Sequence, residues 1–271
     1  LKYKGWQDEA LDGATQGPKG VRTGAVSRDG RTLIYADQQG NVAVHDVPVG
    51  KRDLPPPTHT LELNAPVTAV AVSPDGAWFA AATKSRNDPP VLNVWQISAN
   101  GKLAKATVPG LRSGVLKLAS GRQGRWLLAG DDTGRIVVLD AKSLKTLGET
   151  DPSRVKELDF ALIERPGESL ELIVIRDAVC SCETIVVAAN GNLTFTSRTQ
   201  LKMPFENGGR ERFYRVAASS DGKWLSLVQG QARNRLLVLK RRVPDSNEFP
   251  FEAPEDIDLP QWWIPNAHKL V

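Results

Sequence analysis

The sequence predicts an all-β fold of repeated four-stranded sheets arranged as the blades of a propeller, and three observations predict it. Short apolar or alternating runs recur along the whole chain. Polar turns closing on glycine punctuate them at nearly even spacing. Helical periodicity is almost absent, and the one helical turn expected lies between Asp151 and Leu158, after Pro152.

The first copy carries Thr23-Gly24-Ala25-Val26-Ser27, the turn Arg28-Asp29-Gly30, Thr32-Leu33-Ile34-Tyr35-Ala36, a Gly40-Asn41 turn and Val42 to Val47. The second is the cleanest: Val67 to Val72, Ser73-Pro74-Asp75-Gly76, Trp78 to Ala82 and Val91 to Ile97. The third has Val115 to Leu118, Gln123-Gly124, Trp126 to Gly130, Asp132-Thr133-Gly134 and Ile136 to Asp140. A degenerate fourth copy follows, with Leu158 to Leu162, Pro166-Gly167, Leu170 to Ile175, Thr184 to Val187, Asn190-Gly191 and Leu193 to Phe195. The fifth gives Tyr214 to Ala218, Ser219-Ser220-Asp221-Gly222, Trp224 to Val228 and Leu236 to Leu239.

The turn glycines Gly30, Gly76, Gly124, Gly167 and Gly222 lie 46, 48, 43 and 55 residues apart. A blade of four short strands needs ~40–50 residues, so each interval holds one. Aspartate bonds its own downstream backbone, and glycine accepts the positive φ of a tight hairpin. A tryptophan two residues past the glycine, at Trp78, Trp126 and Trp224, supplies bulk where neighbouring sheets pack.

The Val72-Ser73-Pro74-Asp75-Gly76 turn, Val94-Trp95 and the Leu139-Asp140 strand end resemble bacterial WD-repeat β-propellers over about residues 20–243. No copy has an intact Trp-Asp pair or an opening Gly-His, so the resemblance is to the propeller more than to the strict WD pattern. Quinoprotein-like and lactonase-like propellers share the same blade. Residues 1–19 and 244–271 together make about one more blade. They are expected to form a composite sixth blade closing the ring, since an open end exposes strand edges and an apolar face. In the tail, Trp262 and Trp263 are expected to pack on the propeller or to hook a partner.

Composition narrows the function classes. Of 271 residues, 41% are hydrophobic and 24% charged, which excludes wholesale disorder and fibrous character. No apolar run approaches the ~18–20 residues of a membrane-spanning helix. The net charge of +4 is small, and the basic residues are spread out rather than massed, so nucleic-acid binding is only a second alternative. Cys180 and Cys182 are too close for an unstrained bridge and are read as free thiols. No signal peptide is visible, which favours a cytoplasmic setting, and Leu1 fits a piece of a larger multidomain chain.

Chemistry-bearing motifs are scarce. There is no G-x-S-x-G elbow, no phosphate-binding loop, and the three histidines show no ligand spacing. Asp131-Asp132 before Thr133-Gly134, and Asp37 before Gly40, read as turn chemistry. The expected function is therefore a non-catalytic protein-interaction scaffold or sensor without a cofactor. The alternative is a hydrolase or lactonase with a metal in the central channel, for which no ligand set is evident. Recognition is expected on the face of variable loops at 84–90, Asp131 to Arg135, Gln229 to Arg235 and the connection 48–64. Arg86, Arg135, Arg233 and Arg235 would contribute there and suit an acidic or phosphate-bearing partner.

Overall fold

A computed structural model describes residues 20–257 except 49–53, 86–88, 109–110, 112, 122, 154, 156, 165–169, 178, 201–211, 220, 231–234, 242–249 and 252–254. The described strands form five four-stranded antiparallel sheets, each a meander in chain order. The first blade holds β1 (Val21–Val26), β2 (Thr32–Asp37), β3 (Asn41–Asp46) and β4 (His59–Glu62). The second holds β5 (Val67–Val72), β6 (Trp78–Thr83), β7 (Val91–Ile97) and β8 (Leu103–Thr107). In the third are β9 (Val115–Ser120), β10 (Trp126–Asp131), β11 (Ile136–Asp140) and β12 (Thr146–Glu149). The fourth comprises β13 (Leu158–Ile163), β14 (Leu170–Arg176), β15 (Val179–Val187) and β16 (Leu193–Gln200), and the fifth β17 (Arg212–Ala218), β18 (Trp224–Gly230), β19 (Arg235–Lys240) and β20 (Glu255–Ile257).

First strands follow one another around the axis: β1 packs on β5, β5 on β9, β9 on β13 and β13 on β17. The fold is a β-propeller. Four apolar clusters fill the four seams between successive blades. Phe79 and Trp95 stack in the first seam, and Trp78, Leu127 and Leu139 lie in the second.

The serine–aspartate–glycine turns build themselves from local bonds. Gly76 N–H donates to the Ser73 carbonyl at 3.0 Å, Trp78 N–H to Ser73 Oγ at 3.0 Å, and Ala77 N–H to Asp75 Oδ1 at 3.1 Å. The turns at 27–32 and 219–224 repeat this pattern, and Gly30, Gly76, Gly124 and Gly222 all have φ within 69–72°. Such an angle strains any residue with a Cβ.

These turns also lock neighbouring blades. Trp78 Nε1 donates to the Gly124 carbonyl of the next blade at 2.7 Å. The fourth blade has Glu171 at the tryptophan position, directly before Leu172 as Trp126 precedes Leu127. Glu171 accepts both terminal nitrogens of Arg241, whose Nε donates to the Gly222 carbonyl at 2.8 Å. Arg241 therefore takes over the indole's task, with its guanidinium 4.8 Å from the Phe251 ring.

Near the axis Asp159 joins three blades. Its Oδ1 pairs with Lys117 Nζ of β9, and its Oδ2 accepts the Val216 N–H of β17 at 2.8 Å. A carboxylate this buried is tolerated only when so fully partnered.

Two expectations need correction. Residues 151–153, 155 and 157 are irregular rather than helical. His59–Glu62 is the outer strand of the first blade, so the connection before it joins the third strand to the fourth. It therefore lies at the end of the Asp-Gly turns, where Val47 N–H donates to the Arg31 carbonyl. Within the segment expected to pack on or close the propeller, Glu255–Ile257 completes the fifth sheet by pairing with Leu236–Val238. Residues 1–19 and 258–271, the remainder of the expected sixth blade, lie outside the described residues.

Two predictions follow from these contacts. The Ser73 hydroxyl and the Ala77 N–H hold the Asp75 carboxyl below its ordinary value of 3.8. The stability this contributes is complete above that value and is lost as pH falls through the lower folded value. Asp75→Asn should cost about 0.5 kcal/mol at pH 7 in urea unfolding, and the difference from the parent should shrink on acidification below 3.8. Asp159→Ala leaves Lys117 and the Val216 N–H without their acceptor. It should cost about 3 kcal/mol, read as a lower urea midpoint at unchanged slope.

Candidate functional site

The end of the propeller opposite the Asp-Gly turns carries the connections between second and third strands. Two of them are clasped by an aspartate. Asp37 accepts the Gln39 and Asn41 N–H groups at 2.9 Å and the Asn41 side-chain amide at 2.7 Å. Burial pushes the Asp37 carboxyl up, but these bonds outweigh it and hold the group below its usual value. Asp131 accepts the N–H groups of Thr133 and Arg135, the Thr133 hydroxyl, and Arg135 Nε at 3.0 Å. Gly40 and Gly134 close the two turns at φ 98° and 78°. Both segments behave as the turn chemistry their sequence suggests.

Arg135 is consequently not a free anchor. Its side chain lies against Asp131 and reaches Glu149 of β12 at 3.2 Å. Arg86, Arg233, Trp262 and Trp263 lie outside the described residues, as does the side chain of Arg235, the first residue of β19. Among the described residues this end carries Asp37, Asp132, Glu149, Asp151 and Asp177, with Lys84 paired to Asp132 at 2.6 Å across the second seam. The described cations there are Lys84 and Arg135, both paired, with Arg22 near Asp37.

The seam between the third and fourth blades holds the most polar interior. Arg176, at the end of β14, pairs through Nη1 with Glu183 of β15. Its Nε donates to the Gly134 carbonyl at 3.1 Å, and its Nη2 to Thr150 Oγ1 at 3.1 Å. Arg176, Glu183 and Thr150 are all more than nine-tenths buried. A cavity of about 560 Å³ opens beside them, lined also by Glu149, Asp151 and Phe195. A second, of about 450 Å³, lies at the Asp-Gly end of the second seam, between Trp78 and Arg125. Sequence reasoning missed the first cavity. Its signal was a charge closing β14, Arg176 after Leu-Ile-Val-Ile, and one inside β15, Glu183 before Thr-Ile-Val-Val.

Residues 55–87 match the model of the WD domain, G-beta repeat family. No curated protein matches the chain in sequence. Among solved structures, the β-propeller domain of Cps50 (Swd1) from Myceliophteria thermophila is similar at TM-score 0.60 and 20% identity, covering 89% of this chain and 73% of that one. Kuenenia stuttgartiensis hydrazine synthase is similar at TM-score 0.57 and 15% identity, over 88% of this chain and 67% of that one. The periplasmic gluconolactonase PpgL of Pseudomonas aeruginosa gives 0.59 and 18%, over 92% and 77%. These likenesses establish the fold. Among the described residues no helix is long and apolar enough to cross a membrane, and no three His, Cys, Asp or Glu side chains converge as a metal site.

Cys180 and Cys182 are free and buried, side by side on the face of β15 that packs against the fifth blade. Burial, with a smaller contribution from Cys182, pushes the Cys180 thiol up to about 12. A thiol so protonated is a poor nucleophile. Ellman's reagent at pH 8 should therefore leave Cys180 unmodified in the native protein and titrate it on unfolding in guanidinium. Rapid native labelling of Cys180 would contradict this placement.

Proposed function

We propose that this propeller is a protein-interaction scaffold that binds its partner at the end carrying the connections between second and third strands. One observation carries the reading: those connections are held rigid before any partner arrives. Asp37 and Asp131 each clasp a turn, and Lys84 and Asp132 join adjacent blades across a seam. A prefixed surface loses little conformational entropy on binding. The match to a WD repeat over residues 55–87 supports the same reading. In this reading the segment serves a larger protein as its docking or sensing part. The partner's contacting region is basic, complementing the carboxylates of the described loops.

Photo-crosslinking tests this. A benzophenone side chain placed at Gln38 or Asp132 should capture the same partner from a native extract, and one placed at Asn100, at the other end, should not. Capture from Asn100 alone would overturn the placement. Catalytic opening of a sugar lactone by the purified chain, with a metal that survives dialysis, would overturn the non-catalytic reading altogether.

A further inference from the structure

We infer that the cavity between the third and fourth blades receives a lysine or arginine side chain from an extended segment of a protein partner. This rests on the scaffold reading and gives it a specific pocket.

The chain supplies its own comparison. In the second, third and fifth blades the third-strand residue paired with the one just past the tryptophan is apolar: Trp95 opposite Phe79, Leu139 opposite Leu127, Leu239 opposite Leu225. Each lies in an apolar seam with the preceding blade. His45 holds the place in the first blade, opposite Leu33. In the fourth blade it is Glu183, opposite Leu172. Arg176 holds a position that is polar in every blade, as Asp37, Thr83, Asp131 and Gln229. Glu183, however, puts a carboxylate where two other blades bury leucine, and a buried ion pair there is neutral at best for stability. Departures of this kind concentrate at functional sites.

The cavity's chemistry then selects the ligand. Its volume of about 560 Å³ lies in the ordinary range for a binding pocket. Three carboxylates line it, those of Glu149, Asp151 and Glu183, against the guanidinium of Arg176 on Glu183 and that of Arg135 reaching Glu149. The Arg176 guanidinium already has all three nitrogens engaged, on Gly134, Thr150 and Glu183, which disfavours an anion. Leu193 and Phe195 offer an apolar wall for a methylene stem and a ring for a cation. Ser181, on the same face of β15 two residues from Glu183, is fully buried with no partner for its hydroxyl among the described residues. Residues of both outer strands, Glu149 of β12 and Leu193 to Thr196 of β16, line it, so a side chain entering from outside meets both blades.

The test is direct binding of the whole chain to a fluorescein-labelled Gly-Ser-Arg-Ser-Gly peptide and to its citrulline counterpart, followed by anisotropy. The arginine peptide should bind saturably, and the isosteric neutral citrulline should bind about thirtyfold more weakly. Replacing the pair with apolar groups, Arg176→Met with Glu183→Leu, should hold or raise the melting temperature while abolishing binding. Asp151→Asn at the rim should weaken binding roughly threefold and flatten its salt dependence. Equal affinity for both peptides, absence of saturable binding, or binding retained by the double variant overturns the inference. So does a double variant that cannot fold, because the pair would then be serving stability. A partner captured from Gln38 while the peptide fails to bind would leave the scaffold reading intact and remove only this pocket.

Discussion

A sheet apolar on both faces persists in water only where a neighbour covers each face, and the rest of this molecule follows from that constraint. Packing blades side by side satisfies it, but it forces the first strands together near the axis, where side chains have the least room. The second blade answers with small residues on its first strand, Ala69 and Ala71, both buried. Farther round, Asp159 lies among the strands of three blades and gives them a shared acceptor, with Lys117 on one side and the Val216 N–H on the other. Its burial would be unfavourable in any single blade. Only the assembled ring supplies both partners.

The seams show how one geometric requirement is met by different chemistry. In the second seam Trp78 of one blade donates its indole N–H to the Gly124 carbonyl of the next. In the fourth, Glu171 accepts Arg241 of the next blade, whose Nε caps the Gly222 carbonyl of its own blade. The exchange explains why the fourth repeat looks degenerate in sequence. The tryptophan that marks a blade is absent, yet its position is occupied and its bond is made from the fifth blade. Sequence repeats fade here because the conserved quantity is a contact, and two residues far apart in the chain now make it.

Legibility followed the range of the determining interaction. Turns such as Ser73-Pro74-Asp75-Gly76 were readable because every bond that makes them lies within six residues. Third strands were readable from apolar runs such as Val91 to Ile97. The outer strands were not: His59–Glu62 alternates between exposed and half-buried, and Glu255–Ile257 pairs across a gap of fourteen residues from Lys240. Their register is set by the neighbouring strand rather than by their own pattern. Arg135 could have been read correctly, since Asp131 four residues earlier, across the turn of Asp132, Thr133 and Gly134, puts opposite charges on one hairpin end. Glu183 is legible only once the blades are superposed, because a charge in a strand says nothing until its equivalents, Leu139 and Leu239, are seen to be apolar.

The same superposition exposes one place where the covering constraint is unmet among the described residues. Trp78 and Trp126 are 6% and 7% exposed because the following blade lies over them, whereas Trp224 is 45% exposed with only Lys240 above its ring, 6.0 Å away. On the far side, the Gly30 turn has open space around it, while Gly76 and Gly124 sit against the preceding blade at Thr32 and at Ser73-Pro74. Trp224 thus carries an exposed indole where Trp78 donates to the turn carbonyl of the following blade. The two surfaces do not meet each other, since β17 does not pack on β1 as the other first strands pack on their neighbours. Among the described residues, the outward faces of the first and fifth blades are the two that no neighbouring sheet covers.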